Sequence, residues 1–330
     1  MLMPKTLMPD ALRSVARYQF TAGTIGCRVP RTDHCGGVGA VFKHACMVML
    51  EGGGVVALLA PHVGHVAHAV RLAVDEPIDR CIRIGTPVRI WRNAILFGAD
   101  VAVTLSSARP WTSAVRPGMC ARNKGAFNTI ALARNVLLEL APKSSSEFLA
   151  AALQIGRPVT ALGVRVSAVL PRLALATRTH DANQALLLVR ELLGLGPGLT
   201  PAGDDFIVGW LAGLTLAAQS PAQHEFLAAM CTGVEALSYA TTPLSREHLA
   251  DACGLMFSER LSEVCVAMAS GASRPALQSS MTAQLAVGAT SGADAGAGLI
   301  FALFDSAGGG SASSQGSRGS GRASCPQHTE

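Results

Sequence analysis

The residues best suited to chemistry are two adjacent carboxylates that follow a glycine-rich run, GLGPGLTPAGDD, over Gly194–Asp205. Gly194, Gly196 and Gly198 fall within five residues and Gly203 follows. Without side chains in the way, main-chain N–H groups there can approach a ligand closely. A helix starting just after this run would add an N-terminus with free N–H groups, which suits an anion. Asp204 and Asp205 oppose a bare anion. They suit a cation, an amide or ammonium donor, or a Mg²⁺ that bridges to phosphate. The purely structural explanation is a helix–turn–helix connector. Gly194 caps one helix in the left-handed conformation, Thr200 N-caps the next with Pro201 at its first position, and the carboxylates sit where the helix dipole favours negative charge. That explanation covers Thr200, Pro201 and the aspartates, but not the density of glycine.

A second run, GATSGADAGAG over Gly288–Gly298, holds Thr290, Ser291, Gly292 and Asp294. Ser291 and Asp294 have the spacing of a capping box. Gly292 and Gly296 leave one helix face nearly bare, as do Gly209 and Gly213 on the helix after Asp205, and bare faces pack closely. If the two helices run parallel, that packing brings Asp204 and Asp205 to Ser291 and Asp294. A third run, TTPLS over Thr241–Ser245, offers Ser245 as the N-cap of a following helix; Thr241 and Thr242 either cap as well or present hydroxyls to a ligand. His62, His65 and His68 recur every three residues, which in a helix would drift by about 60° per step. No carboxylate or cysteine completes a metal set with them, so they read as polar loop or surface residues.

These residues need elements to position them. Val38–Phe42, Cys46–Leu50, Val55–Leu59, Pro87–Trp91, Ala94–Phe97 and Val101–Leu105 read as short strands, separated by turn clusters such as the EGGG at Glu51–Gly54. From Phe127 onward the apolar spacing becomes helical, with a stop at Pro142 and an amphipathic helix over Thr179–Leu193. Val164–Leu175 fits helix or strand. Further helices are expected near 204–218, 222–238, 246–257, 259–270, 274–286 and 292–305. The fold class is therefore α+β: an N-terminal antiparallel, barrel-like β unit followed by an all-helical C-terminal domain. The expected divisions are an irregular 1–19, a β unit over 20–121, a helical domain over 122–306 that carries the glycine motifs, and a disordered tail over 307–330, which is too poor in apolar groups to fold.

Composition excludes several classes. Net charge is +5 with the basic residues scattered, and no Lys/Arg run with interleaved aromatics marks nucleic-acid binding. Nine cysteines, an odd number with no C-x-x-C pair, argue against a disulfide framework or zinc ribbon and for a cytoplasmic protein. The apolar runs at Phe206–Ala218 and Ala295–Phe304 are too short to span a bilayer, so no membrane partner is expected.

Taken together, G-x-G-P-G-L-T-P-x-G-D-D-F (Gly194–Phe206), T-T-x-x-S (Thr241–Ser245) and T-S-G-x-D (Thr290–Asp294) resemble a bacterial family long described as a domain of unknown function. Trp111 is similar to a tryptophan near the end of that family's β region. The family includes the AllH-type smallest subunit of oxamate carbamoyltransferase, which interconverts oxalurate and phosphate with oxamate and carbamoyl phosphate. The resemblance implies a carbamoyltransferase subunit acting on a small anionic substrate, partnered by an FdrA-like protein and a second large protein. In that reading Gly196, Gly198 and Gly203 hold anion oxygens, Thr200 donates a further hydrogen bond, and Asp204 and Asp205 orient an amide nitrogen or hold Mg²⁺. Ser291 and Asp294 complete the pocket, with Thr241, Thr242, Ser245, Thr290 and Gly292 around it. The competing readings are a non-catalytic binding or assembly subunit of such a complex, and a stand-alone hydrolase or sensor.

Overall fold

The computed structural model describes residues 16–120, 124–141, 146–158 and 160–307. Pro142 and the tail beyond residue 307, for which a helix stop and disorder are expected, lie outside the described residues.

The β unit is a closed eight-stranded barrel over residues 18–111. Its strands are β1 (Tyr18–Gly26), β2 (His34–Phe42), β3 (Ala45–Leu50), β4 (Val55–Leu59), β5 (Ala69–Leu72), β6 (Pro87–Trp91), β7 (Ala94–Phe97) and β8 (Val101–Thr104). They run in the order β5-β4-β3-β2-β6-β7-β8-β1, and β1 pairs back onto β5 to close the ring. A short ninth strand, β9 (Arg109–Trp111), adds to the far end of β1. Most ring pairings are antiparallel, as expected, but β1–β8 and β4–β5 are parallel.

Alternation fills the barrel: Val48, Val56, Leu58, Val70, Ile90 and Phe97 meet inside it. A single helical turn, α1 (Ile78–Cys81), adds Ile78 and Ile82 to the same core. β4 is buried on both faces, because Ala57, Leu59 and Ala69 pack outward against Val63 and Val66 of the following loop. β1 is absent from the expected strands and begins inside the segment expected to be irregular. Its sequence, YQFTAGTIG, alternates weakly and lacks a turn cluster before it.

The helical region comprises α2 (Lys124–Leu140), α3 (Glu147–Ala152), α4 (Ala161–Thr179), α5 (Ala182–Leu192), α6 (Ala202–Ala217), α7 (Pro221–Leu237), α8 (Pro243–Cys253), α9 (Glu259–Ala269), α10 (Arg274–Leu285) and α11 (Ser291–Ala307). The ambiguous Val164–Leu175 lies within α4. The helix expected from Thr179 is two elements: α4 ends there, His180 turns left-handed at φ 54°, and the Asp181 side chain caps α5 by accepting the Gln184 N–H at 3.0 Å. No helix among the described residues is long and apolar enough to cross a membrane.

At the centre lies α6, apolar nearly all round and buried accordingly. It packs directly on α11. A Cβ placed on Gly209 would stand 1.9 Å from the Ala295 carbonyl oxygen, and one on Gly213 would stand 2.7 Å from that of Leu299. In return, one on Gly298 would stand 2.0 Å from the Phe206 carbonyl oxygen. The contacts advance together along both chains, so the helices run parallel. Gly298, rather than Gly292 or Gly296, supplies the bare face on α11. Gly292 lies instead against the Gln284 carbonyl oxygen of α10, and Gly296 faces Leu137.

The barrel meets the helices through polar side chains. His68 Nδ1 lies 2.7 Å from the Asp251 carboxylate, which also faces Arg28 at 3.3 Å. Arg71 donates to Glu259 at 2.6 Å, and Ser113 and Ser262 share a hydrogen bond of 3.0 Å. His65 stacks on Trp111 with ring centroids 4.6 Å apart. His65 and His68 are thus loop residues, as expected, but fully buried ones rather than surface ones.

The glycine contact yields a direct test. Gly209→Val forces main chains apart and is expected to lower unfolding free energy by about 3 kcal/mol, the upper end for overpacked cores. Gly254→Ala, whose Cβ would find its nearest neighbour at 3.4 Å, should stay within about 0.5 kcal/mol of the parent. Urea unfolding of both variants measures the difference.

Candidate functional site

The loop from α5 to α6 is built on positive φ angles: 70° at Gly194, 117° at Gly196 and 102° at Gly198. These suit glycine alone without strain. Gly203 serves close packing instead, since a Cβ there would lie 2.0 Å from the Leu192 carbonyl oxygen, and its N–H donates to Leu195 at 2.9 Å. Gly203 therefore has no N–H left for a ligand. The N–H groups of Gly196 and Gly198 have no partner among the described residues, and open space surrounds the Cβ position of Gly198.

The two adjacent aspartates have different surroundings. Asp204, buried, accepts the Gly194 N–H at 2.8 Å on one oxygen and the Thr241 hydroxyl on the other. Burial pushes its carboxyl up, while the Gly194 N–H and the Thr241 and Ser245 hydroxyls pull it down. Asp204 thus ties the loop to the segment before α8. Each of its oxygens thus already accepts one hydrogen bond, whereas the expected Mg²⁺ partner Asp205 has an unengaged one.

Asp205 points elsewhere. Burial pushes its carboxyl up to about 7, against the Ser291 and Thr200 hydroxyls that pull it down, and the charge of Asp204 adds to the rise. Its Oδ2 is sealed from solvent without a hydrogen-bond partner. Across the parallel helix pair lies Asp294, fully buried and pushed up to about 8 by burial, opposed by the Thr290 hydroxyl and reinforced by the charge of Asp205. One of its oxygens accepts from the Ser146 hydroxyl; the other, Oδ2, is sealed and unpartnered. The Thr200 and Ser291 hydroxyls bridge the two helix starts at 3.0 Å.

Several cap expectations are corrected. Pro201, not Thr200, occupies the cap of α6, because the Thr200 hydroxyl turns across to Ser291. α8 begins at Pro243 with Thr242 as its cap, accepting the Ser245 N–H at 3.1 Å, so Ser245 lies inside the first turn and is buried there. The Thr242 hydroxyl also donates to the Leu199 carbonyl at 2.5 Å, which pins the glycine loop. The carbonyl of Thr290 accepts the Asp294 N–H at 2.9 Å as α11 starts, and the Gly292 N–H is taken by Val287 at 3.0 Å.

Thr200, Asp205, Thr290, Ser291 and Asp294 therefore stand together. Thr241, Thr242 and Ser245 buttress them through Asp204 and the loop, and Gly203 and Gly292 provide close packing. Sequence reasoning missed Ser146, which N-caps α3 and reaches Asp294 from 148 positions away. No spacing rule connects such a pair. A cavity of about 1070 Å³ lies elsewhere, between α2, α3, α4 and the C-terminal half of α11, with Arg134, Ser167 and Phe304 in its wall.

A closed barrel joined to a helical unit, with carboxylates meeting at two parallel helix starts, is the setting in which the comparisons fall. Residues 192–303, about a third of the chain, match the family model described as oxamate carbamoyltransferase subunit AllH. No curated protein and no solved structure matches the chain.

The raised carboxyls have a consequence for stability. In the folded protein Asp205 and Asp294 hold protons up to about 7 and about 8, whereas an unfolded Asp releases its proton near pH 3.9. The folded state binds more protons between those limits, so stability falls as pH rises from about 4 to about 8. Asp205→Asn and Asp294→Asn should each flatten this fall and exceed the parent's urea midpoint at pH 8.5. An unchanged slope in both variants would contradict the burial of these groups.

Proposed function

We propose that this chain is a subunit of an oxamate carbamoyltransferase-like enzyme and that it binds a small anionic substrate of the carbamoyl phosphate, oxamate and oxalurate class. The observation that carries the reading is the convergence of Asp205 and Asp294. Each keeps one buried, unpartnered oxygen in the first turn of one of two parallel helices. Buried polar atoms are rarely left unpaired unless something else completes them.

Oxalurate and phosphate differ from oxamate and carbamoyl phosphate only in the position of a carbamoyl group. The protein's task is then to hold an anion beside an amide nitrogen. Protonated, Asp205 or Asp294 donates a hydrogen bond to a carboxylate or phosphate oxygen. Ionised, either one accepts from an N–H of oxamate or of the carbamoyl group. Their raised pKa values keep both forms accessible near neutral pH. Gly196 and Gly198 add N–H donors for the oxyanion, and Thr200 and Ser291 orient Asp205. Transfer then rests on positioning and charge stabilisation without a covalent nucleophile. Asp205 and Asp294, rather than Asp204, are the groups that would hold a Mg²⁺, whose contribution would be neutralisation of phosphate charge.

The word "subunit" in the family description supports partners of the FdrA-like and second large type, with a cytoplasmic setting that suits the nine cysteines. A second reading, a non-catalytic assembly subunit, is favoured by the match itself. It stops short of the barrel, which is then free to serve as a docking unit.

A thermal-shift series with carbamoyl phosphate, phosphate, oxamate and oxalurate, each with and without Mg²⁺, separates the readings, since a ligand bound only by the folded state raises Tm by mass action. The expected result is a shift with at least one of them that Asp205→Asn abolishes. In the assembled complex the same variant should lose at least about 100-fold in turnover with its fold intact. Normal turnover by Asp205→Asn would leave the assembly role standing and remove the catalytic one.

A further inference from the structure

We infer that His44, His62 and Asp75 form a binding site for one divalent transition-metal ion of the zinc class on the outside of the barrel. His44 sits in the turn between β2 and β3, His62 follows β4, and Asp75 follows β5. One potential ligand atom from each lies within 4.8 Å of the others. His62 Nδ1 is 3.3 Å from the Asp75 carboxylate. The imidazoles of His44 and His62 meet edge to face, with centroids 4.4 Å apart.

The main chain fixes this arrangement. The Ala60 N–H donates to the His44 carbonyl at 2.9 Å, the Ala73 N–H to Thr21 at 2.8 Å, and the Ile78 N–H to Lys43 at 2.9 Å. Ligands about 2.0 Å from a tetrahedral zinc stand roughly 3.3 Å from one another. His62 and Asp75 already meet that spacing, and the side chains that must close the rest have open space to move into: those of His62 and Asp75 are 50% and 61% exposed.

A His62–Asp75 ion pair alone leaves His44 unexplained. Its Nδ1 is sealed from solvent with no hydrogen-bond partner, so no existing bond competes with coordination. Two imidazoles and one carboxylate select zinc-class ions over Mg²⁺ or Ca²⁺, which prefer oxygen sets. Three protein ligands leave a coordination position for water or an exogenous anion.

The fold also shows why a spacing of three among His62, His65 and His68 misleads. His65 and His68 turn into the contact with the helices, and His62 finds its partners on other segments. The His62 carbonyl accepts from Arg260 at 3.2 Å, so an ion here would brace the loop that carries His65 and His68 inward.

The test is zinc titration of the chelator-stripped full chain by calorimetry, in a Cys27→Ser, Cys35→Ser background because both thiols are exposed. The expected result is one equivalent bound. Affinity should fall at least tenfold in His44→Ala, His62→Ala and Asp75→Asn, and stay unchanged in His34→Ala. A readout on the unmutated residues guards against misfolded variants: ¹⁵N shifts of the His44 and His62 rings should move with zinc while those of His34 stay fixed. No binding above buffer, equal binding by the triple variant, or zinc-induced shifts confined to other histidines would overturn the assignment.

Discussion

Everything at the candidate site depends on the main-chain contact between α6 and α11. Helices separated by ordinary side chains lie 8–10 Å apart. Here the carbonyl oxygens of Phe206, Ala295 and Leu299 occupy the space that Cβ atoms on Gly298, Gly209 and Gly213 would need. The approach is possible only with glycine on both partners. Because the helices run parallel, the contact fixes their starts at one level, and the first-turn carboxylates of each face one another. A carboxylate in the first helical turn is ordinarily stabilised by the dipole. Two of them brought together and buried are not both stable as anions, and the protein accommodates this by holding protons on Asp205 and Asp294.

Within the pair of adjacent aspartates, the structure divides the work. Asp204 has both oxygens engaged, by the Gly194 N–H and the Thr241 hydroxyl, and so closes the glycine loop onto the start of α8. Asp205 has a sealed, unengaged oxygen. The same α8 carries Asp251 in its last turn, where it receives His68 and Arg28 of the barrel unit. One short helix therefore connects the glycine loop at its N-terminus to the barrel near its C-terminus.

How much of this was legible in the sequence follows from the range of the interactions involved. The barrel strands with clear turn punctuation, such as those around Glu51–Gly54 and Arg92–Asn93, are set by local signals and were readable. β1 and the four-residue β5 are not, because ring closure rather than local propensity makes them strands, and the Pro-containing β9 is a strand only through its pairing with the end of β1. The glycine spacing of Gly209 and Gly213 pointed to a bare face, and the conditional inference of a parallel partner agrees with the packing. Its counterpart on α11 is Gly298, because Gly292 is needed against Gln284 of α10. The caps expected at Thr200 and Ser245 fall elsewhere for two reasons: the Thr200 hydroxyl reaches across instead of capping its own helix, and α8 starts before Ser245. Thr200 reaches to Ser291, while Thr242 takes the capping role one turn earlier than Ser245.

Ser146 marks the limit of local reading. Its hydroxyl accepts the Leu149 N–H at 3.1 Å as an ordinary cap and donates to Asp294. The start of α3 and the orientation of a buried carboxyl are thereby one unit. The segment matched to the carbamoyltransferase subunit family begins at Leu192 and ends at Leu303. It contains the glycine loop, Thr241, Asp205 and Asp294, but neither Ser146 nor the barrel. The matched part holds both carboxyls, while Ser146, which donates to Asp294, and Leu137, which faces Gly296 of the same helix, lie outside it. Since desolvation is the largest cause of both raised pKa values, packing from outside the matched segment contributes to the state of Asp294.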